Sequence, residues 1–221
     1  MTKLPSVVAL VAILQVGCSV VGVRTAEELK YTVVDAEESF EVRSYAPYIA
    51  AEASTTDSDN VNRSLFRILA GYIFGKNTTE ESIPMTAPVV MEAEKDTSEK
   101  IAMTAPVIME EEGESGWKMA FSMPSEYTME TLPKPLDPRV SLVEVPSRIL
   151  AVVRFSGTFN NAEKRVEMEQ ALRSWLEEKQ QYKAVGQAFY AGYDPPFTMP
   201  FLRRNEVLVE VAPRDAEPTP E

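Results

Sequence analysis

One predicted helix, at residues 60–74, carries more apolar side chains than a core-facing stripe needs. The core stripe recurs at i, i+4, i+7, i+8 and i+11 and comprises Val61, Leu65, Ile68, Leu69 and Tyr72. A second stripe lies about a third of a turn round the helix and comprises Phe66, Ala70, Ile73 and Phe74, with Arg63 on the same side. Such a stripe can line an apolar groove with a cation at its rim. A groove of this kind can bind an apolar ligand that carries a negative charge. Burial of the helix on two sides is the alternative explanation.

The sequence of 221 residues contains no histidine. Ser-His-Asp and Cys-His catalysis, histidine zinc sites and a histidine ligand to haem iron are therefore excluded. Asp and Glu outnumber Lys and Arg by 34 to 22, for a formal net charge of −12. Because phosphate neutralisation needs clustered cations, nucleic acid and anionic membrane surfaces are disfavoured as partners. We expect a binding protein without catalytic residues or metal ligands.

An eight-residue motif occurs twice, with its copies eighteen positions apart. The copies are Met-Thr-Ala-Pro-Val-Val-Met-Glu at residues 85–92 and Met-Thr-Ala-Pro-Val-Ile-Met-Glu at residues 103–110. Strand periodicity places alternate residues of each copy on one face: Met85, Ala87, Val89 and Met91 in the first, Met103, Ala105, Val107 and Met109 in the second. The polar residues 93–100 predict a hairpin with a long loop, while Pro88 and Pro106 indicate an edge strand or a bulge. Methionine faces of this kind are core more often than they are ligands.

The doubled Met-Thr-Ala-Pro-Val resembles the signature of the SOUL haem-binding proteins. The resemblance continues in the family's order with Gly-Tyr-Asp-Pro-Pro at residues 192–196 and Arg-Arg-Asn-Glu at residues 203–206, and it covers about residues 31–212. It implies one compact α+β domain in which two β-α-β-β repeats form a distorted, antiparallel, barrel-like sheet flanked by two helices. It also implies that the domain binds haem or other tetrapyrroles.

The predicted elements repeat along the chain at an offset of about one hundred residues. The first set has strands at residues 40–43 and 48–53, a helix at 60–74, and strands at 83–92, 100–109 and 117–124. The second set has strands at residues 140–145 and 149–155, a helix at 161–179, and strands at 184–193 and 206–211. Asn160 and Glu163 predict the N-cap and the capping box of the second helix. That helix is an ordinary amphipathic one, so packing alone explains it.

The resemblance associates the ligand pocket with the first helix and with the loop at residues 194–204, between the last two strands. On the helix the matching positions are Arg63, Phe66, Leu69 and Ala70, and the second stripe adds Ile73. On the loop the apolar residues are Phe197, Met199 and Phe201, and the cation is Arg203. Haem is a flat apolar plate with two propionates, so apolar walls and one or two cations at the rim would hold it.

Several of these side chains have a structural alternative. The loop residues can fold onto the end of the sheet, and Arg203 and Arg204 can fix Asp194 and Glu206 around a turn. Arg204 and, more weakly, Lys76 are further propionate candidates. Sulfur or phenolate ligands to iron could come from Met85, Met103, Met199, Tyr72 or Tyr193. We expect instead a tetrapyrrole held by apolar contact without a histidine axial ligand, so that metal-free porphyrins bind as well.

The N-terminus predicts a secretory signal. Lys3 precedes an apolar run at residues 7–16, which is shorter than the ~20 residues that a bilayer crossing needs. Cys18 follows that run, where a bacterial lipoprotein signal carries its lipidated cysteine, although Gln15 stands where Leu is usual. The alternative is an incidental cysteine in a signal cut elsewhere or in an uncleaved anchor. We expect a signal at residues 1–18, a tether at 19–30, the domain at 31–212 and a disordered tail at 213–221.

The leading interpretation is an exported monomer, periplasmic or anchored by lipid to a bacterial membrane, that carries or buffers tetrapyrroles without catalysing a reaction. Two alternatives use the same fold. An enzyme of tetrapyrrole breakdown could act on the bound macrocycle, and a small-ligand or protein-interaction module could use the surface for another partner, because fold does not fix function. Turnover of haem would identify the first alternative, and absence of pigment from every preparation would favour the second.

Overall fold

A computed structural model describes residues 26–56, 61–78, 98–112, 116–195 and 197–214. The first motif copy with its predicted strand, Cys18 with its apolar run, and the tail from residue 215 lie outside the described residues. The described chain is an α+β fold of antiparallel strands and two α-helices, as the sequence predicts. Over these residues, no helix has the length and apolar character needed to cross a membrane.

The described elements that the sequence predicts occur in the predicted order, and three further strands, at Tyr31–Glu37, Asn77–Thr78 and Lys134–Pro135, were not predicted. The strands are β1 (Tyr31–Glu37), β2 (Phe40–Tyr45), β3 (Tyr48–Thr55), β4 (Asn77–Thr78), β5 (Val107–Glu112), β6 (Gly116–Ser122), β7 (Lys134–Pro135), β8 (Ser141–Val145), β9 (Arg148–Phe155), β10 (Tyr182–Gly192) and β11 (Asn205–Pro213). The helices are α1 (Val61–Ile73) and α2 (Ala162–Lys179), and a short 3-10 helix spans Pro200–Leu202. The chain forms two compact units, which we call the terminal unit (residues 1–26, 30–45 and 148–221) and the central unit (residues 27–29 and 46–147).

The terminal unit is an antiparallel sheet with α2 packed on it. Its strands lie in the order β1-β2-β9-β11-β10, and α2 contacts β9, β10 and β11. Ala151 of β9 lies opposite both Val42 of β2 and Val209 of β11, and all three side chains are fully buried. Because a helix brings positions i, i+3 and i+4 to one side, α2 adds a matching buried stripe of Leu172, Trp175 and Leu176.

The central unit combines four antiparallel strands with α1. Its strands lie in the order β5-β6-β3-β8, and α1 packs on β3 and β6. The buried residues of α1 are Leu65, Leu69, Tyr72 and Ile73. A two-stranded ribbon of β4 and β7 belongs to the same unit. The antiparallel pairing predicted from the sequence is confirmed, but in neither unit do the described strands close into a barrel.

Two pairs of strands that are neighbours in sequence, β2 with β3 and β8 with β9, do not pair with each other. β2 pairs with β9 and β3 pairs with β8, so neither Pro47 nor Pro146 lies in the turn of a simple hairpin. The chain passes from the terminal unit to the central unit after Tyr45 and returns at Arg148. Each sequence repeat therefore contributes strands to both units, and the two compact units do not coincide with the two repeats.

α1 ends in a glycine cap close to its predicted end. Gly75 has a φ of +113°, a left-handed backbone conformation that glycine adopts without a steric penalty. The Gly75 N–H donates to the Tyr72 carbonyl at 3.4 Å, and the Lys76 N–H donates to the Gly71 carbonyl at 2.9 Å. These bonds satisfy carbonyls that the last turn would otherwise leave open, and they fix the direction in which the chain leaves the helix.

The predicted N-cap of α2 is wrong by one residue. Asn161, rather than Asn160, has the extended backbone of a cap, and its side-chain oxygen accepts a hydrogen bond from the Lys164 N–H at 3.0 Å. Glu163 therefore occupies the second helical position, and the predicted capping box does not form with Asn160. Two consecutive asparagines are equally good caps by residue type, so only the backbone geometry distinguishes them.

The predicted strand at residues 100–109 is wrong in its first half. β5 begins only after Pro106, because the preceding backbone makes hydrogen bonds elsewhere. The Ile101 N–H donates to the Ile73 carbonyl at the end of α1, at 2.8 Å. The Ala105 N–H donates to the carbonyl of Glu27, also at 2.8 Å. This segment joins α1 to an N-terminal stretch of chain instead of extending the sheet.

The methionine face of the second motif copy is only partly buried. Met109 and Ala105 are buried as predicted, whereas Met103 is exposed. The Ala105–Pro106 peptide bond is cis, and the irregular backbone before it breaks the alternation that would have placed Met103 on the buried side. Thr104, on the alternate position, is buried instead, and its hydroxyl donates to the Ser122 carbonyl.

Candidate functional site

The second stripe of α1 divides between the core and the surface. Ile73 is buried, and so is Leu69, the other predicted pocket residue that belongs to the core side. Phe66 and Phe74 keep 39% and 59% of their surface exposed. We call the outward side of the helix the α1 face, and it comprises Arg63, Phe66, Arg67, Ala70 and Phe74. Burial of α1 on two sides, the alternative explanation for its pattern, is therefore wrong for these residues.

Phe66 is held at the edge of the α1 face by an aromatic contact. Its ring meets the ring of Phe121 on β6 at a centroid separation of 5.4 Å and an interplanar angle of 61°. Phe121 is buried, so it fixes one edge of Phe66 while the rest of that ring faces solvent. This contact joins a helix to a strand that is about fifty residues away in sequence, and helical periodicity alone could not have identified Phe121.

The α1 face carries cations and no acid. Arg63 and Arg67 are both exposed, and the helix contains neither Asp nor Glu. Their i, i+4 spacing places the two guanidinium groups on the same side of the helix. Arg67 is the residue that the sequence interpretation missed, although its spacing from Arg63 was visible. Both side chains are exposed at the surface of the described part of the chain.

The predicted loop in the terminal unit exposes its apolar side chains. Phe197, Met199 and Phe201 keep 61%, 43% and 69% of their surface exposed, whereas Thr198 between them is fully buried. The loop backbone is nevertheless well fixed, because the Thr198 N–H donates to the Pro195 carbonyl at 3.0 Å. Folding of these three side chains onto the end of the sheet, the structural alternative, is not what the structure shows.

The two neighbouring arginines of this loop have different structural roles. The Arg203 Nε donates to the Thr198 carbonyl at 2.7 Å, and the Arg203 side chain stays half-buried. The Arg204 N–H donates to the Asp194 carboxylate at 2.6 Å, and Arg204 Nε donates to Glu206 at 2.9 Å. The structural role predicted as the alternative for Arg204, which is to fix Asp194 and Glu206 around a turn, is therefore confirmed.

Glu206 lies at the centre of a buried polar network that sequence reasoning did not foresee. Arg43 of β2 donates to both of its carboxylate oxygens, at 2.9 and 3.1 Å, and the Tyr193 hydroxyl donates to it at 2.6 Å. Arg43 also reaches Tyr45 and Glu41. Such a network becomes visible only once β2 and β11 are known to flank β9.

Burial and charge oppose each other in setting the pKa of Glu206. Burial alone would raise this pKa, but hydrogen bonds and the charges of Arg43 and Arg204 outweigh burial and lower the pKa below its ordinary value. Burial raises the pKa of the Tyr193 hydroxyl well above its ordinary value, and the neighbouring Glu206 carboxylate adds to this. At neutral pH Glu206 is therefore an anion and Tyr193 a neutral donor.

The two tyrosines named as possible iron ligands, Tyr72 and Tyr193, are poorly suited to that role. Tyr193 donates to Glu206, and the Tyr72 hydroxyl donates to the Pro133 carbonyl at 2.8 Å. Burial, followed by the nearby Tyr127 and Glu99, raises the pKa of Tyr72 to about 12, so its phenolate form is scarce at neutral pH. Among the thioethers, Met103 and Met199 are exposed, and Met85 lies outside the described residues.

No group of three or more His, Cys, Asp or Glu side chains that could hold a metal ion occurs in the described ranges. The residues of the α1 face fit a flat apolar plate that bears carboxylates, because Phe66, Ala70 and Phe74 supply apolar surface and Arg63 and Arg67 supply cations. They provide no strong iron ligand. The fit is therefore to the macrocycle and its propionates rather than to the metal.

The structure combines an antiparallel α+β fold with an α1 face that is apolar and cationic, a composition typical of ligand-binding surfaces. A sequence model of the SOUL heme-binding protein family matches residues 26–99 and 92–210. The chain belongs to this family. It is similar to human Heme-binding protein 2, with 29% identity over 171 residues and 76% of each sequence covered.

Solved structures share the fold at much lower sequence similarity. The EcmrR C-terminal domain superposes with a TM-score of 0.55 at 8% identity, covering 83% of this chain and 98% of that one. An uncharacterized conserved protein from Listeria innocua superposes with a TM-score of 0.52 at 13% identity, covering 80% of this chain and 93% of that one. At such identities the likeness concerns the fold alone.

Proposed function

We propose that this protein binds haem or a related tetrapyrrole non-covalently and serves as a carrier or buffer, without catalysing a reaction on it. The proposal is supported by membership of a heme-binding family together with one observation. In a chain of net charge −12, α1 exposes two phenylalanines and two arginines with no acid between them. A helix face of this composition suits an apolar anion better than water.

Three residues of the α1 face have a proposed role. The exposed part of Phe66, backed by Phe121, contacts the plane of the macrocycle, and Ala70 leaves room for the plate to approach the helix. Arg63 donates to a propionate, for which a guanidinium is well suited because it can form two parallel hydrogen bonds. The haem iron, when haem is bound, carries the redox and ligand chemistry of the cofactor itself. We propose that no residue of the described chain acts as its strong axial ligand.

The pocket assignment of Phe197, Met199, Phe201 and Arg203 stays a prediction of its own. Their exposure in the terminal unit is compatible with ligand contact. A separate variant, Phe201→Ser, tests this loop without altering the buried network.

The test is a titration of the protein lacking residues 1–18 with haemin, protoporphyrin IX and protoporphyrin dimethyl ester, followed by absorption and fluorescence. The family model begins at residue 26, so this chain retains every matched residue. Without a strong iron ligand, haemin and protoporphyrin IX should bind within about tenfold of each other. Phe66→Ala should weaken all three ligands by about tenfold, whereas Arg63→Ala should weaken the two acids and spare the diester.

Matched variants separate binding from folding. Val166→Ala and Lys183→Ala alter exposed side chains of the terminal unit and should leave every affinity unchanged. Phe121→Ala removes a buried ring and should cost about 3 to 5 kcal/mol of unfolding free energy, whereas Phe66→Ala should cost much less. Failure of every tetrapyrrole to bind would refute the proposed function. Binding that ignores both Phe66 and Arg63 would refute the site, and steady loss of the macrocycle with a reductant present would indicate an enzyme.

A further inference from the structure

A second apolar and cationic surface lies at the C-terminal end of α1. Phe74 and Leu136 keep 59% and 62% of their surface exposed, and Lys76 and Lys134 are exposed beside them. We call these four residues the ribbon patch, because the β4–β7 ribbon brings them together. In that ribbon Thr78 pairs with Lys134, and just beyond it the Leu136 N–H donates to the Lys76 carbonyl at 3.1 Å.

The backbone beneath the ribbon patch is firmly held. Asn77 is buried, and its side-chain amide donates to the carbonyls of Tyr72 and Glu99, at 2.7 and 2.8 Å. Its side-chain oxygen accepts from the Glu99 N–H at 2.9 Å. The glycine cap at Gly75 fixes the chain between Phe74 and Lys76. The exposed apolar side chains therefore project from an ordered scaffold rather than from a loose loop.

Charge is segregated towards this end of the central unit. The ribbon patch adds Lys76 and Lys134 to the two arginines of the α1 face. The nearest acid in sequence, Asp137, forms a salt bridge with Arg139 at 2.6 Å, and Arg139 and, after it, Lys76 lower the pKa of its carboxyl group. A net charge of −12 excludes anionic surfaces only if the charge is spread evenly, and here four exposed cations occur on a helix and ribbon that carry no unpaired acid among the described residues.

We propose that the ribbon patch docks the protein on the surface of an anionic phospholipid bilayer. Lysines beside exposed apolar side chains match the layered chemistry of that surface, since the cations meet lipid phosphates while Phe74 and Leu136 enter the boundary of the acyl chains. A second copy of the chain is a poorer occupant, because a symmetric contact would place Lys76 and Lys134 of both copies together. This proposal goes beyond tetrapyrrole binding and does not depend on it.

Vesicle flotation tests the docking proposal on the chain lacking residues 1–18. The probes are phosphatidylcholine vesicles with and without phosphatidylglycerol. Partition onto the anionic vesicles should exceed partition onto the neutral ones by at least about tenfold, and it should fall as salt is added. The double variant Lys76→Glu with Lys134→Glu should abolish the preference for anionic lipid, and Phe74→Ser with Leu136→Ser should lower partition by roughly tenfold.

Two control pairs in the terminal unit match these changes. Lys30→Glu with Lys183→Glu makes the same change in net charge, and Val33→Ser with Val34→Ser removes two equally exposed apolar side chains, at 52% and 51%. Both pairs should leave flotation close to wild type. Equal flotation on the two vesicles, or equal effects of patch and control pairs, would overturn the proposal.

Other occupants give distinct outcomes. Because Phe74 also belongs to the α1 face, the lysine variant distinguishes the two sites: unchanged flotation with lost haemin binding in Lys76→Glu with Lys134→Glu would assign the ribbon patch to the tetrapyrrole site and refute docking. A dimer in light scattering that Phe74→Ser with Leu136→Ser dissociates would assign the patch to a second copy and refute docking as well. Haemin titration without vesicles reports separately on the proposed function, so that the two proposals can fail independently.

Discussion

At the scale of single residues, the molecule contains both buried arginines that pair with a carboxylate and exposed arginines on the surface of a helix. Arg43 and Arg204 are buried against Glu206, whereas Arg63 and Arg67 are exposed on a helix without an acid. A buried arginine whose hydrogen bonds go to a carboxylate contributes to the fold and has little left to offer a propionate. The distinction depends on pairing across strands, so residue type alone could not make it.

Glu206→Gln should destabilise the protein and change its response to acid. Because the folded pKa of Glu206 is lowered, its charge stabilises the native state above its unfolded pKa, near 4.5, and this contribution is lost as the pH falls through the folded pKa. The variant leaves Arg43 and Arg204 buried without a countercharge, which should cost about 3 to 5 kcal/mol at neutral pH. Urea unfolding between neutral and acidic pH measures both effects.

Glu210→Gln, on the same strand as Glu206, is the control and should change neither quantity appreciably. If the unfolding free energy of the Glu206 variant falls as steeply with acid as that of wild type, the acid response arises elsewhere. In that case the buried network around Glu206 would contribute no pH-dependent stability.

At the scale of elements, Asn161→Ala should cost about 1 kcal/mol of stability, because the N-cap oxygen satisfies a backbone donor at the start of α2. Asn160→Ala should cost clearly less, since its neighbour is the cap. Thermal or urea unfolding of the two variants measures the difference. Equal losses, or a larger loss at Asn160, would mean that the helix begins one residue earlier in solution.

Local patterns predicted the elements well and their pairing poorly. The bounds of α1 and α2 follow from apolar period, glycine and asparagine signals, which act within a few residues. The pairing of β2 with β9 was not predictable in this way, because it joins segments about a hundred residues apart. The strand expected at residues 100–109 failed for a related reason, since Ile101 and Ala105 bond to chain segments outside the sheet.

The candidate site, like the fold, was only partly predictable from the sequence. The helical period identified the side of α1 that carries Phe66 and Arg63, because spacing alone decides which residues share a face. It grouped Ile73 with Phe66 and Phe74, although Ile73 is buried and the two phenylalanines are exposed. A stripe at the margin of the core can contain both buried and exposed residues, and spacing alone does not distinguish them. The contact that supports Phe66 comes from Phe121 on β6, and only the packed structure could reveal it.

At the scale of the whole molecule, export stays a prediction that Cys18 can test. If Cys18 is lipidated, wild type should fractionate with membranes and Cys18→Ala should move to soluble or unprocessed material, because a diacylated cysteine anchors a protein stably. Cell fractionation with a radiolabelled fatty acid checks this. Wild type that is soluble after cleavage and carries no lipid label would contradict the lipoprotein interpretation. Any membrane association would then have to come from the proposed docking of the ribbon patch.

The return of the chain at Arg148 also has a consequence for synthesis. A ribosome releases β2 long before β9, the strand that pairs with it, and β11 must still insert between β9 and β10 at the end. The central unit has all its strands once residue 145 has emerged, so it can fold first. Until β9 has emerged, the edge of β2 that it will pair with stays unpaired, and unpaired strand edges promote aggregation. Translation speed across residues 46–147 therefore sets how long the nascent chain is exposed to that hazard.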